Sequence, residues 1–279
     1  MRTTRLTLLA ILALPALALA QGPAAGGADP RAGNGFIATP VFSAAEDQAL
    51  LALFAGLRVS DVTDGMDAVG LPNVGLMDPE IHPAWKDTHE YTHRFIGIAV
   101  TARYVPTQRA GAGKRSVEEY DRWSGEWYEK LSPEPFQDLL RPGSALVIDD
   151  AERADVGSIG SNNIMAWKAR GTVGVVTNAT ARDTDEVATE KMPLYFRRPG
   201  RGIRPGRNEI ESVNRPIVCG GVLVVPGDVV VADGDGVLVV PRAVAADVAR
   251  YAKRILEDDK EGRRKLYEKL GLPKDKSVE

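Results

Sequence analysis

The sequence predicts a single α/β domain built on a mixed or parallel sheet, and three observations carry that prediction. From Gly143 the chain reads as strand (145–149), turn, helix (162–170), Gly171 and strand (173–178), a βαβ-like unit with short connections. Over 222–240, short β-branched runs are split by Pro226-Gly227-Asp228 and by Asp233-Gly234-Asp235-Gly236, the pattern of a β-meander. Over 243–270 the pattern returns to helix, with charges dense enough in its second half to face solvent or a neighbour.

Taken from the N-terminus, Arg2 and Arg5 precede an uncharged run over 6–19 and then Ala18-Leu19-Ala20 before Gln21, the three regions of a secretory signal. The run is shorter than the roughly 20 residues that span a bilayer, and it contains Pro15. A cleaved signal peptide over 1–20 is therefore expected rather than a membrane anchor, with the mature protein periplasmic or secreted. Residues 21–35, QGPAAGGADPRAGNG, have no apolar period and read as a flexible leader. Folding is expected from Phe36 to Glu279 as one domain, a length within the usual range for a single core.

The chain has 35 basic and 38 acidic residues, and loss of Arg2 and Arg5 with the signal leaves a net charge of −5. The densest basic run, 197–207, is interleaved with Gly and Pro as a loop is. Nothing presents the basic face that displaces counterions from a polyanion, so nucleic acid is not an expected partner. A single cysteine, Cys219, excludes an intrachain disulfide, and its apolar strand setting reads as a buried structural thiol.

Ser43-Ala-Ala-Glu46 is a capping box leading into Leu50, Leu51, Phe54 and Leu57 at helical spacing, an amphipathic opening helix. A strand follows over 95–103. Beyond a loop, Tyr120, Trp123, Trp127 and Leu131 form an aromatic stripe at helical spacing, read as packing, for which a subunit contact is one place, rather than as a ligand cage. His89 and His93 would share a helical face as metal ligands do, but segment 87–93 has no apolar period and reads as a solvated loop. The 233–236 DGDG run lacks the later acids of a calcium loop and reads as a turn between valine strands. The 200–207 GRGIRPGR run lacks the ending of a phosphate loop and reads as a surface loop near the site.

The informative segment is GSIGSNNIMAWKARG over 157–171, followed after the next strand by Ala179-Thr-Ala-Arg-Asp183. Gly160, Ser161, Asn162 and Asn163 open a helix, where unpaired N–H groups and the positive end of the helix dipole favour a carboxylate. Arg182 and Asp183 fall just past the end of a strand, the edge of an α/β sheet where ligands bind. Arg182 could take the carboxylate of a small 2-oxo acid in a bidentate fork. A divalent ion on Asp183 could absorb charge as a neighbouring C–C bond breaks. Taken alone, an adjacent Arg-Asp pair is also what a surface ion pair looks like.

The ordered set resembles a known family. Gly160 through Gly171, Gly174-Val175-Val176, Arg182-Asp183, Gly220-Gly221-Val222, Pro226-Gly227-Asp228 and the 231–237 run are similar to the family of RraA, the regulator of ribonuclease activity A, and 4-hydroxy-4-methyl-2-oxoglutarate aldolase. The 64–70 and 95–101 segments fall in order upstream. The resemblance implies a three-layer α/β/α domain of swivelling type, assembled as a homotrimer or homohexamer. It implies substrate held by residues 160–163 and Arg182, and Mg²⁺ or Mn²⁺ on Asp183. It also implies a second acid from a neighbouring subunit, for which Glu257 is the candidate. Aldolase members cleave 4-hydroxy-4-methyl-2-oxoglutarate to pyruvate and decarboxylate oxaloacetate, whereas the ribonuclease regulators lack the acid after the arginine. The sequence departs at Ser161, where aldolase members carry an acid. A hydroxyl cannot order a water with a carboxylate's charge, which bears on the proton transfer of a retro-aldol step more than on decarboxylation. A metal-dependent lyase is the leading expectation, with a non-catalytic interaction protein or a keto-acid-binding protein as the alternatives.

Overall fold

The computed structural model describes residues 37–109, 111, 113–150 and 155–279; the expected signal peptide and leader lie outside them. A compact unit spans Thr39–Glu279. In chain order its elements are α1 (Ala44–Phe54), α2 (Val59–Ala68), β1 (His82–Pro83), β2 (Phe95–Pro106), α3 (Val117–Lys130), β3 (Ser144–Asp149), α4 (Ser161–Ala169), β4 (Thr172–Thr177) and β5 (Thr180–Ala181). There follow α5 (Thr184–Thr189), β6 (Leu194–Phe196), β7 (Arg198–Pro199), β8 (Asn208–Val213), β9 (Ile217–Cys219), β10 (Val222–Val224), β11 (Val229–Asp233), β12 (Gly236–Val240) and α6 (Ala245–Leu270).

The α/β class, the mixed sheet and the terminal helix are as the sequence predicts. The strand order is β1-β6-β4-β3-β2-β11-β12. Strands β2, β3, β4 and β6 run parallel, their crossovers carrying α3, α4 and α5, and the flanking pairs are antiparallel. β2 is long enough to pair twice on one edge, with β11 over Phe95–Ile98 and with β8 over Ala102–Pro106. The end strands β1 and β12 meet, so the sheet is nearly closed on itself.

Period-two alternation explains why one sheet serves three cores. Ala145, Val147, Val176, Val230, Ala232, Val237 and Val239 point into the curled interior with Phe95 and Tyr195. Their neighbours Leu146, Ile148 and Val175 point outward against Ile164 and Trp167 of α4 and Val187 of α5. Val229, Val231, Leu238 and Val240 point outward against α1, α2 and α6, meeting Phe54, Val62, Met66, Val248 and Ala252. The helices thus cover two separate arcs of the outer face, and the sites they carry are separated accordingly.

The β-rich third is not one continuous meander. β9 and β10 form their own antiparallel hairpin, and Pro226-Gly227-Asp228 carries the chain from it to the main sheet. The reason is competition for partners: the edge of β2 takes β11, with Ala99 donating to the Asp228 carbonyl at 2.9 Å and Gly227 to the Ala99 carbonyl at 3.0 Å. The DGDG run is the expected turn, joining β11 and β12 with Asp233 opposite Gly236. Cys219 is buried in the interior. Of the aromatic stripe only Trp127 is buried, donating from Nε1 to the Asn208 carbonyl, while Tyr120 is exposed. Segment 87–93 is a loop, but His93 within it is buried and accepts the Asp87 N–H at Nδ1, so it is not a solvated one throughout. Among the described residues no helix is long and apolar enough to cross a membrane.

Candidate active site

The site forms where two short backbone segments run side by side. Ile159 and Ala181 make a parallel bridge, and Arg182 donates its N–H to the Ile159 carbonyl at 2.8 Å. This pairing lays 157–160 against 180–183 ahead of α4. Two glycines permit the approach: a Cβ at Gly157 would lie 2.8 Å from Cβ and Cδ of Arg182, and a Cβ at Gly160 would lie 2.7 Å from Asp183 Oδ2. Asp183 itself is left-handed, with φ 57° and ψ 39°, a conformation rare outside glycine and tolerated best by Asn and Asp. That kink ends β5, starts α5 and turns the carboxylate back over the first residues of α4.

The result differs in one respect from the cradle expected at Gly160, Ser161, Asn162 and Asn163. The first turn of α4 already holds a carboxylate, that of Asp183: Oδ2 accepts the Ser161 N–H at 3.1 Å and lies 3.4 Å from the Ser161 hydroxyl. A carboxylate there is favoured by the unpaired N–H groups and the helix dipole. The Gly160 N–H is met by Asn163 Oδ1 at 3.3 Å. What faces outward is therefore the exposed Asn162 side chain, Asp183 Oδ1 and the Arg182 guanidinium. Arg182 Nε is buried without a hydrogen-bond partner and stands 3.9 Å from Asp183 Oδ1, beyond hydrogen-bond reach. The pair is thus not a closed internal salt bridge. A cation with unused donors sits beside a fixed carboxylate with an open oxygen, both side chains 37% exposed.

Asp183 offers a single carboxylate, and among the described residues no group of three or more His, Cys, Asp or Glu is arranged to hold a metal. That donor set does not suit a closed protein cage. It suits Mg²⁺ or Mn²⁺, which keep waters and take substrate oxygens alongside one or two carboxylates. Glu257 is exposed on α6, which packs against α1 and α2 over β11 and β12, the other helical arc from α4 and α5. One chain does not bring Glu257 to Asp183.

Behind the site lies a network that sequence reasoning missed. Glu134, 11% exposed, accepts from Asn163 Nδ2 at 2.7 Å, from Trp167 Nε1 at 2.8 Å and from Arg204 Nη2. Arg204, expected in a surface loop, is 3% exposed. It donates to the Ser158 carbonyl at 2.9 Å and the Ser132 carbonyl at 3.1 Å. Burial disfavours its charge, but the Tyr104 and Glu134 oxygens outweigh that and hold its pKa above the ordinary value. Nearby, Asp150 accepts from the Ser158 hydroxyl and from Asn208 Nδ2 at 2.8 Å. These bonds fasten both ends of the 158–163 segment. No local signal marks them, since Glu134 and Arg204 are 70 residues apart and meet only in the fold.

A family model described as Aldolase/RraA, RraA-like, matches residues 59–239. The chain is 34% identical over 133 residues to a Halalkalibacterium halodurans protein named provisionally as a 4-hydroxy-4-methyl-2-oxoglutarate aldolase, covering 46% of this chain and 61% of that one. The chain therefore spans about three-fifths of the length of that relative. Among solved structures, an uncharacterized Pseudomonas syringae protein matches with a TM-score of 0.62 at 25% identity, over 85% of this chain and 97% of that one. A Streptomyces coelicolor member of the RNase ES inhibitor RraA protein family has the same fold, with a TM-score of 0.62 at 21% identity over 78% of this chain and 98% of that one.

Proposed function

The chain belongs to the RraA-like Aldolase/RraA family, and from that membership we propose that it is a divalent-metal-dependent lyase of small 2-oxo acids that releases pyruvate. The observation that carries the reading is the pairing at the start of α4 of Arg182, whose Nε has no partner, with Asp183, whose Oδ1 is open. Arg182 binds the carboxylate of the 2-oxo acid through its planar fork. The Ile159–Ala181 bridge fixes the Arg182 backbone, and Gly157 leaves room for its Cβ to Cδ stem, so the side chain leaves the sheet edge from a set point. Mg²⁺ or Mn²⁺ held at Asp183 would supply Lewis acidity to the keto and carboxylate oxygens as the C–C bond breaks.

Ser161 decides between two reactions. Retro-aldol cleavage of a 4-hydroxy-2-oxo acid breaks the C3–C4 bond, delivers the 4-hydroxyl proton to a base and returns a proton to C3. The Ser161 hydroxyl, in contact with Asp183 Oδ2, is no such base. Decarboxylation of oxaloacetate loses carbon dioxide and takes one proton at C3 from solvent, with no hydroxyl proton to remove. Oxaloacetate decarboxylation is therefore the stronger expected activity. The test is pyruvate release from oxaloacetate and from 4-hydroxy-4-methyl-2-oxoglutarate with Mg²⁺ or Mn²⁺ and again with EDTA; no turnover above the spontaneous rate on either substrate sinks the reading. The alternative of an interaction or keto-acid-binding protein draws on the shared RraA fold, but the ribonuclease regulators it resembles lack the acid that Asp183 provides.

Two further outcomes are expected. Gly160→Ala pushes its new methyl to 2.7 Å from Asp183 Oδ2; the carboxylate swings off the Ser161 N–H, and kcat/KM falls by at least about tenfold, about 1.4 kcal/mol, with little change in thermal melting. We also propose assembly as a homotrimer or homohexamer, in which Glu257 from a neighbouring protomer closes the exposed side of the site. In that case Arg182→Ala and Glu257→Gln protomers, each strongly impaired alone, regain part of the activity when unfolded and refolded together, as read by pyruvate release. Recovery no greater than the sum of the two separate samples removes Glu257 from the site.

A further inference from the structure

On the other helical arc, well apart in sequence from Arg182 and Asp183, the 56–60 turn, the 91–94 turn, the 233–235 turn, α6 and the C-terminal tail enclose a half-open cavity of about 270 Å³. Its wall is cationic. Arg58 and Lys276 are each matched by acids, Arg58 by Asp61 and Asp259 and Lys276 by Glu90. Arg94 and Arg263 are not: the Nε of each is buried with no hydrogen-bond partner. The Arg263 Nη2 reaches only neutral oxygens, Ser277 Oγ at 2.9 Å and Tyr267 OH at 3.3 Å. Arg94 makes no side-chain hydrogen bond or ion pair among the described residues, and its Cζ lies over the Tyr91 ring, 3.8 Å from the centroid.

That stacking has a cost in backbone geometry. Tyr91 adopts φ 56°, the left-handed region that a bulky residue rarely occupies. The turn thus sets an aromatic face against a guanidinium whose Nε has no hydrogen-bond partner among the described residues. Two acids also line the wall: Asp233 accepts the Val59 N–H at Oδ2 and the Asp235 N–H at Oδ1, both at 2.9 Å, and among the described residues neither Asp233 nor the exposed Asp235 hydrogen-bonds Arg94 or Arg263. Buried charged donors left unpaired are unfavourable, and native structures provide them with a partner. Arg94 and Arg263 thus put two planar guanidiniums, the donors suited to phosphate or carboxylate, in one wall, which Lys260 of α6 also lines while donating to the Glu279 carbonyl at 3.3 Å.

We propose that this cavity is a second ligand site, distinct from the one at Arg182, that binds a small multiply charged oxyanion between Arg94 and Arg263. The volume suits a phosphate or a compact di- or tricarboxylate and is small for a nucleotide.

The experiment is titration of the full chain with inorganic phosphate and, separately, with citrate, by calorimetry and thermal melting at constant ionic strength balanced with sodium chloride. Saturable binding of either anion is expected, and the preferred one identifies the ligand as phosphoryl or carboxylate. Arg94→Gln and Arg263→Gln each weaken it at least tenfold, and Asp183→Asn leaves it unchanged. The two glutamine variants are independent, so misfolding of one leaves the other as the test. Binding that only tracks ionic strength, that is equal in wild type and both variants, or that is lost in Asp183→Asn overturns the proposal. So does a smaller particle mass in the Arg94→Gln variant with no anion binding in the wild type, which would assign the missing partner to a carboxylate of a second copy.

Discussion

Arg182→Ala is expected to lower kcat/KM for pyruvate release by about a hundredfold or more, roughly 2.7 kcal/mol of transition-state binding. The size follows from what the side chain does. Among the described residues its Nε has no acceptor, and in the proposed function its donors take the substrate carboxylate. Arg182→Lys keeps the charge but not the planar fork, and most of the loss should persist. Because Arg182 is more than a third exposed and its nearest acid is 3.9 Å away, removing it orphans no buried partner, and thermal melting should move by no more than about 2 °C. Asp183→Asn keeps an oxygen for the Ser161 N–H but removes the negative charge that would hold a divalent ion: its residual activity should no longer respond to Mg²⁺, Mn²⁺ or EDTA. An Arg182→Ala enzyme with wild-type kcat/KM removes the arginine from the site.

Glu134→Ala carries the largest expected effect on stability. It leaves Arg204 buried without its carboxylate and strips the acceptor from Asn163 Nδ2 and Trp167 Nε1. Breaking a buried ion pair from one side costs about 3–5 kcal/mol. For a chain of this size that corresponds to a fall in melting temperature of about 10 °C. Replacing both members, as in Glu134→Leu with Arg204→Met, should cost less than the sum of the single changes, since no charge is left uncompensated. Glu134→Ala should also raise KM, because Asn163 is fastened to Glu134 on one side and to the Gly160 N–H on the other. Unchanged melting of Glu134→Ala would mean that the network contributes little and that the start of α4 is held by backbone pairing alone.

Local chemistry accounts for what could be read before folding. The capping box at Ser43 and Glu46 forms as written because all its atoms lie within one turn. The strands over 144–149, 172–177 and 236–240 follow from runs of β-branched residues, and their alternation into interior and outer clusters follows from the period of two. The pairing of β9 with β10, and of β11 with β2, did not follow, because strand partners are chosen by competition among edges distant in sequence.

The site divides in the same way. The sequence by itself determined the residue types and their order: a glycine-opened helix, a strand, then Arg182 and Asp183, the set by which the family is identified. It could not say that the first turn of α4 would be taken by Asp183, nor that Arg204 would leave its glycine-rich loop to be buried against Glu134. The first depends on the left-handed turn at Asp183 and the Ile159 to Ala181 bridge, the second on a contact across 70 residues. The physical reason is range. Capping, turn chemistry and hydrophobic period act over a few residues and are written in the chain, whereas the desolvation that makes a buried charge require its partner exists only once the tertiary structure has excluded water.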